Sequence, residues 1–337
     1  MATVYFTTVV RAGELARAGE VVSLDWSAKK VLERAWAAPI DASVPDDNPR
    51  GGRRGGRGLC VTETAVYAGT YNTIECLDRQ LAPGPVLTNG VMAGIHEVHM
   101  RTPGRLWLTS TTIDAAVEID LATGAPTAAF WPRDDPRLQE ALGLVPLAID
   151  KEADNRALFQ SATFQLDQSH LHLNAVMTWR DELHGLFSKD GILVNLERGS
   201  VLMRHPLLVR GHNLALVDDH VFVCSTRARQ VCEFDLTTAA LVRCVDLKQL
   251  DGIEALAMDK RSMRPGLGTR LATKLGRTPP VVAVPLFARG LQVRGDLVFV
   301  GVSPASVLCI DWPRGRLVDL FQYSDQVTTA IHGLAVV

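Results

Sequence analysis

The sequence predicts an all-β protein, a six-bladed β-propeller built from four-stranded sheets, and three observations lead to this prediction. An apolar residue followed by an acid recurs six times, at Leu24-Asp25, Leu77-Asp78, Ile119-Asp120, Leu196-Glu197, Phe234-Asp235 and Ile310-Asp311. A polar residue that opens a short apolar strand precedes five of these acids by 21 to 24 residues. The sixth opening strand stands apart, at the C-terminal end of the chain.

Each repeat contains the signals of a four-stranded meander. Between the opening polar residue and the acid of each repeat lies a further β-rich run, such as Leu106-Trp107-Leu108-Thr109. A turn follows the acid, as in Trp312-Pro313-Arg314-Gly315, and a fourth run such as residues 316–320 comes after the turn. Six such sheets in a ring leave only short, protected edges.

Both chain ends are predicted to share one blade. Residues 4–9, 20–26 and 30–36 have the pattern of second, third and fourth strands, but no first strand precedes them. Residues 331–336 have the first-strand pattern, and the sequence stops directly after them. The C-terminal strand is therefore expected to close the ring beside the N-terminal strands.

The repeat pattern resembles the six-bladed propeller superfamily that includes the gluconolactonase-like, strictosidine synthase-like and NHL-repeat proteins. The resemblance covers nearly the whole chain and is architectural. The calcium-binding acidic and amide residues of the gluconolactonase-like enzymes have no counterpart at these first-strand positions, so their activity is not carried over.

Two partly helical insertions, residues 132–168 and 247–286, are predicted to cover the pocket face of this single domain. Asp135 and Pro136 form an N-terminal signal for a helix over 135–142, and residues 252–258 and 269–275 are also predicted to be short helices. The Gly/Arg-rich segment 41–58 reaches the same face. It is either a solvated loop or an ordered lid that grips an anion.

Composition narrows the class of protein. The chain has 337 residues, 47% of them hydrophobic and 21% charged, and a net charge of −2, so it is globular and nucleic acid is not an expected partner. No apolar run is long enough to span a membrane, and we expect a soluble, cytoplasmic protein without a membrane partner. The six cysteines form no CxxC pair, which favours buried free thiols over disulfides or thiolate metal sites.

The first residues of the inner strands should line the central channel as a ring of polar side chains. In chain order they are Arg57, His96, Asn174, His212, Arg289 and His332. The histidines fall on alternate blades, and Arg57 and Arg289 are expected on opposite sides of the ring. Residues two apart on a strand share a face, so His172 and Arg210 should extend the lining outward.

Three interpretations of this ring stay open. His96, His212 and His332 could hold a divalent Zn, Fe, Mn or Cu ion, could act without metal, or could only form hydrogen bonds that line the channel. We assign His172, His212 and Asn174 as candidate catalytic residues. Arg57, Arg289 and Arg210 are candidate anion-binding residues, and Tyr71 and Arg227 are substrate candidates in turns on the same face.

The predicted function is an enzyme that acts on a small, anionic metabolite in the axial pocket. Histidines that transfer protons and arginines that orient an anion suit an elimination, isomerisation or cyclisation. The sequence has no GxSxG, P-loop, GxGxxG or HExxH motif, so no nucleotide cofactor is expected. The alternative is a non-catalytic propeller for ligand sensing or protein interaction.

Overall fold

Six four-stranded antiparallel sheets form a ring in the computed structural model, which describes residues 2–11, 18–37, 55–158, 170–259 and 284–337. This arrangement confirms the predicted all-β, six-bladed propeller. Inner strands of successive blades contact one another around the whole ring. The blade that contains both chain ends contacts its two neighbours in the same way.

The described strands follow one another in chain order from blade to blade. Blade 1 contains β1 (Thr3–Val10), β2 (Glu20–Asp25) and β3 (Lys30–Trp36). Blade 2 contains β4 (Leu59–Val61), β5 (Ala65–Gly69), β6 (Ile74–Asp78) and β7 (Pro83–Leu87), and blade 3 contains β8 (Ile95–Thr102), β9 (Arg105–Ser110), β10 (Ala115–Asp120) and β11 (Pro126–Phe130). Blade 4 contains β12 (Leu173–Trp179), β13 (Glu182–Phe187), β14 (Ile192–Asn195) and β15 (Ser200–Arg204). Blade 5 contains β16 (Gly211–Val217), β17 (His220–Ser225), β18 (Gln230–Asp235) and β19 (Ala240–Asp246), and blade 6 contains β20 (Leu291–Arg294), β21 (Leu297–Val302), β22 (Ser306–Asp311) and β23 (Arg316–Gln322).

The last strand, β24 (Thr329–Val336), completes blade 1 as its innermost strand. It pairs antiparallel with β1, with Val336 opposite Val4 and Thr329 opposite Val10. The predicted closure of the ring by both chain ends is confirmed. Because β24 also contacts the inner strands of blades 2 and 6, it holds three blades together.

Each interface between neighbouring blades has its own apolar core. Phe6 and Val22 of blade 1 pack against Phe299 and Val307 of blade 6, for example. Six clusters of this kind, one for each neighbouring pair of blades, occur among the described residues. Alternation along each strand places apolar side chains toward both adjacent blades, and burial of one large side chain contributes about 1.5–3 kcal/mol.

The recurrent acids at the ends of the third strands cap turns. The carboxylate of Asp120 accepts hydrogen bonds from the backbone N–H groups of Ala122 and Thr123, and Asp235 accepts from Thr237 and Thr238 in the same way. Blade 4 differs from the sequence pattern. There Asn195, two residues before Glu197, caps the turn.

The insertions are described in part. The helix predicted after Asp135 is present as α1 (Pro136–Leu142), and the Asp135 side chain accepts a hydrogen bond from the N–H of Arg137. Where a short helix is predicted over 252–258, one turn of 3-10 helix covers Ile253–Ala255. The predicted helix 269–275 and most of segment 41–58 lie outside the described residues. That the insertions act as pocket lids stays a prediction.

One cysteine pair corrects the expectation of free thiols. Cys232 and Cys244 form a disulfide, because they lie directly opposite each other on β18 and β19. Free thiols remain at Cys60, Cys76, Cys224 and Cys309. No helix in the described part of the chain combines the length and the apolar character needed to cross a membrane.

Candidate functional site

The axial side chains stand where the inner strands depart from regular pairing. In β8, β12 and β16 the register shifts between Ile95 and Val98, between Leu173 and Ala175, and between His212 and Leu214. The pairing of β24 with β1 shifts at the same level, beside His332. A bulge bends the strand and redirects a side chain, so these irregularities place polar residues at the axis of an otherwise apolar sheet.

Glycines next to the ring residues let neighbouring inner strands approach closely. A Cβ atom on Gly333 would lie 2.4 Å from the carbonyl oxygen of Arg57, and one on Gly58 would lie 2.6 Å from the Cα of Glu97. Only glycine fits at either point without a backbone shift. The Arg57-Gly58 and His332-Gly333 pairs thus bring polar side chains to the axis.

Three predicted histidines come together at the axis. The ring centroids of His96 and His332 are 5.5 Å apart, those of His96 and His212 are 5.9 Å apart, and those of His212 and His332 are 6.1 Å apart. His172 joins them, with its ring centroid 5.2 Å from that of His96. Five of the nine histidines form one connected group when His170, 5.5 Å from His172, is added.

Burial keeps four of these histidines, His96, His172, His212 and His332, uncharged at neutral pH. Desolvation lowers the pKa of His96, His212 and His332 well below its usual value, and nearby arginines lower it further. Burial also lowers the pKa of His172, to about 3. Neutral imidazole offers one N–H donor and one lone pair, so each ring can both donate and accept a hydrogen bond.

The two ring arginines flank the blade that carries His332. Arg57 precedes β4 of blade 2 and Arg289 precedes β20 of blade 6, and both blades adjoin blade 1. They are therefore two blades apart in the ring, and the expectation that they face each other from opposite sides is wrong. Blades 3, 4 and 5 separate the two arginines in one direction around the ring, but ring closure leaves only the blade of His332 between them in the other.

Each ring arginine contacts an aromatic side chain. The guanidinium of Arg57 donates from Nη1 to Nε2 of His96 at 3.2 Å, and its Cζ lies 5.9 Å from the centroid of the Tyr71 ring. The Cζ of Arg289 lies 4.7 Å from the centroid of Phe287, and that of Arg11 lies 4.9 Å from the same ring. Three cations thus share this end of the axis with the histidines.

These arginines lack an acidic partner. No carboxylate of a described residue lies within ion-pair distance of Arg57 or Arg289, and Nε of each is buried without a hydrogen-bond partner. Burial, with a smaller contribution from the positive charge of Arg11, lowers the pKa of Arg57 to about 10. A buried cation without a counter-charge is costly to fold.

Glu97 directly follows the ring residue His96, but its carboxyl group forms a hydrogen bond with Asn213 and not with a ring arginine. Its Oε2 accepts a hydrogen bond from Nδ2 of Asn213 at 2.5 Å. Oδ1 of Asn213 in turn accepts from the N–H of Gly290 at 2.7 Å. Burial raises the pKa of Glu97 to about 8, which leaves the carboxyl mainly protonated at neutral pH.

A buried aspartate that the sequence analysis missed positions the outer histidines. Asp114 is 1% exposed and accepts hydrogen bonds from the backbone N–H groups of Leu171 and His172, at 2.8 and 2.9 Å. Nε2 of His170 lies 3.3 Å from its Oδ1, and Nη1 of Arg133 lies 3.8 Å from its Oδ2. Strand alternation does not identify His170, because residues 170–172 precede β12 and His172 has a φ of 59°, and Asp114 has no sequence signal either.

The remaining predicted residues divide between the ring and the rim. Asn174 is buried, and its Nδ2 donates to the carbonyl oxygen of Gly211, while its Oδ1 is buried without a partner. Tyr71 is buried beside Arg57, with its hydroxyl 3.1 Å from Oγ1 of Thr112. Arg210 and Arg227 are exposed, so the structure does not bring these two side chains into the buried ring.

The donor set does not suit a metal ion as it stands. Within the described ranges, no group of three or more histidine, cysteine or acidic side chains is arranged to hold one. Because a guanidinium only donates, Nε2 of His96 must present its lone pair to Arg57, and the ring proton of neutral His96 then lies on Nδ1. Arg57 and Arg289 would also repel a cation.

Comparisons with known proteins support the fold alone. No family model matches the chain, and no curated protein matches it. A crystal structure of a protein of unknown function from Bacteroides caccae aligns with a TM-score of 0.59 and 9% identity, over 99% of this chain and 98% of that one. A structure of a nidogen/laminin complex aligns with a TM-score of 0.49 and 11% identity, over 100% of this chain and 98% of that one.

Proposed function

We propose that the axial ring binds a small organic anion and that its neutral histidines transfer a proton to or from that molecule. The observation that carries this proposal is the pair of ring arginines, Arg57 and Arg289, with no carboxylate partner among the described residues. A ligand that brings the missing negative charge would offset the cost of burying them.

The proposed reaction class is an elimination, isomerisation or cyclisation. These reactions need a group that removes a proton and a group that returns one, and neutral imidazole does both. His212, with a buried and unpartnered Nε2, is the candidate base, and His172 and Asn174 stand on the neighbouring blade. Arg57 and Arg289 would bind the anionic group and stabilise negative charge that develops on it.

A ligand screen tests the binding step. Small carboxylates and phosphates are added to the parent protein and to Arg57→Lys and Arg289→Lys, and thermal shifts and calorimetric affinities are measured. Lysine keeps the charge and loses the planar pair of donors, so we expect affinity to fall roughly ten- to a hundred-fold in either variant. The matched control is Arg227→Lys, which changes an exposed arginine and should bind like the parent. Equal affinities in all four proteins would remove the ring arginines from the site.

Turnover decides between catalysis and the alternative of a non-catalytic sensing propeller. Acids that bind are incubated with the protein in deuterated water, and proton nuclear magnetic resonance records deuterium uptake or a new product. Exchange that disappears in His212→Phe supports an enzyme. Binding without exchange or product supports ligand sensing.

A divalent Zn, Fe, Mn or Cu ion stays a prediction for the same ring. Elemental analysis of the purified protein checks it. Stoichiometric metal that is lost when His96, His212 or His332 is replaced by alanine would overturn the contact between Arg57 and Nε2 of His96 as the functional state.

A further inference from the structure

The hydrogen bonds of the ring determine where the proton of His212 lies. Nδ1 of His212 is 3.0 Å from the carbonyl oxygen of Arg210, and a carbonyl only accepts, so Nδ1 carries the proton. Oγ1 of Thr226 lies 2.9 Å from the same nitrogen and donates its own proton to the carbonyl of Ala288 at 2.7 Å. The Thr226 hydroxyl therefore accepts from His212 as well.

Nε2 of His212 is consequently a lone pair inside the buried group. The residue is 6% exposed, and Nε2 has no hydrogen-bond partner within the described protein. Its ring packs against His96, His332 and Phe287, at centroid distances of 5.9, 6.1 and 6.2 Å. Burial lowers the pKa of His212 well below its usual value, so this nitrogen stays unprotonated at neutral pH.

The rest of the ring offers more donors than acceptors, although Oδ1 of Asn174 and one ring nitrogen of neutral His332 are also acceptors without a partner among the described residues. Arg57 and Arg289 only donate, and neutral His96 presents Nδ1–H because its Nε2 accepts from Arg57. A carboxylate ligand without a hydroxyl group can accept hydrogen bonds from these donors, but it has no proton to donate to Nε2 of His212. A buried acceptor left without a donor costs affinity.

We propose that the ring selects an anion that also carries a hydroxyl group: the anionic oxygens accept from Arg57 and Arg289, and the hydroxyl donates to Nε2 of His212. This inference rests on the proposed anion-binding function and names the class of ligand for it. Hydroxycarboxylates and hydroxyalkyl phosphates share this chemistry.

The first test needs no ligand. Nuclear magnetic resonance of protein with 15N-labelled histidine distinguishes a ring nitrogen that bears a proton from one that bears a lone pair. We expect His212 to show a proton on Nδ1 and a lone pair on Nε2 at pH 7, with the resonances assigned by their loss in His212→Phe. A proton on Nε2 in the parent overturns the inference, whether or not any acid binds.

The second test compares acids that differ only by a hydroxyl. The pairs are lactate and propionate, malate and succinate, and 2-hydroxypropyl phosphate and propyl phosphate, so that carboxylate and phosphate ligands are separated. We expect the hydroxyl member of the preferred class to bind the parent at least about tenfold more tightly. The preference should disappear in His212→Phe and persist in His220→Gln, a matched control at a partly exposed histidine.

The outcomes separate this inference from the function on which it rests. Binding of both members with equal affinity overturns the hydroxyl selection and leaves the anion site standing. A preference that persists in His212→Phe also overturns the assignment to His212. If none of the six acids binds the parent, the anion-binding function fails, and this inference fails with it.

Discussion

Two columns of polar residues repeat around this propeller, and they differ in how their polar atoms are satisfied. The acids that end the third strands accept hydrogen bonds from the backbone of the turn that follows, as Asp78 does from Gln80 and Ala82. At the axis, by contrast, both ring nitrogens of His332, Nε2 of His212 and Nε of Arg57 are buried without a partner in the described part of the chain. The turn acids are thus satisfied by the backbone beside them, whereas these axial atoms are not satisfied by any described residue.

The closing strand β24 both completes blade 1 and carries His332 to the axis. Its removal should therefore have the largest effect on stability. Deletion of residues 331–337 takes away the inner strand of blade 1 together with His332, and exposes the edge of β1. We expect loss of the cooperative fold, measured as soluble yield and as thermal unfolding by circular dichroism. Deletion of Val337 alone removes two terminal backbone hydrogen bonds and should give a soluble protein. A soluble seven-residue truncation with the parent melting temperature would contradict the role of β24.

Asp114 is a buried acid near the axis whose carboxylate is hydrogen-bonded. Its replacement tests whether it stabilises the fold, as the turn acids do. Asp114→Ala removes the acceptor of two backbone N–H groups and leaves Arg133 without this nearby charge. We expect the free energy of unfolding to fall by about 3 kcal/mol, since buried groups lose their partners. Urea unfolding measures it. A loss below about 0.5 kcal/mol would show that the His170 and His172 segment does not depend on Asp114.

Acid should destabilise the axial region through its neutral histidines. The folded-state pKa of His332 lies well below the usual 6.5, so the unfolded chain takes up the proton first as pH falls. The stability that a neutral His332 preserves is therefore complete above pH 6.5 and is lost as pH falls below it. Between pH 6 and 5, the decline in His332→Gln should be shallower than in the parent by about 1.4 kcal/mol per pH unit. Identical slopes would mean that His332 takes up its proton equally in both states.

Glu75 and Glu97 act in the opposite direction. Burial raises their pKa values to about 7 and about 8, so the folded protein holds these protons at pH values where the unfolded chain has released them. Their contribution to stability is complete below the usual value of 4.5 and is lost as pH rises through 7 and 8. The comparison between His332→Gln and the parent cancels this contribution, because both proteins contain the two glutamates.

The smallest expected effects have opposite signs in the two columns. Asp78→Ala removes a satisfied turn acid and should lower the free energy of unfolding by about 1 kcal/mol. Arg57→Met removes a buried charge for which the described residues supply no counter-charge, and keeps an apolar stem. It should raise the free energy of unfolding by about 1 kcal/mol and abolish any stabilisation by added anions. Urea unfolding with and without ligand measures both. Destabilisation in both variants would show that Arg57 is a structural residue.

Much of the fold was readable because its signals are local and repeated. Alternating apolar residues, a capping acid and a turn specify each meander, and the missing first strand at the N-terminus identified the closure. Where two residues meet by register across strands, as Cys232 and Cys244 do, the spacing in the sequence offers no comparable signal. Blade 4 has the same turn as blade 5, with Asn195 opposite Ser200 as Asp235 is opposite Ala240, so Glu197 matches the sequence pattern two residues beyond the capping position.

The sequence by itself determined which residue types stand at the axis, because a first-strand position in a propeller must face the channel. Only the tertiary structure decided which of those residues have hydrogen-bond partners and which other residues lie beside them. It set Arg57 and Arg289 on either side of His332 and paired Glu97 with Asn213 away from the arginines. It also brought Arg11 and Asp114 to the site from loops distant in sequence, and Phe287 from the segment just before Arg289. Whether a buried polar atom has a partner depends on contacts between blades, and no local pattern encodes those contacts.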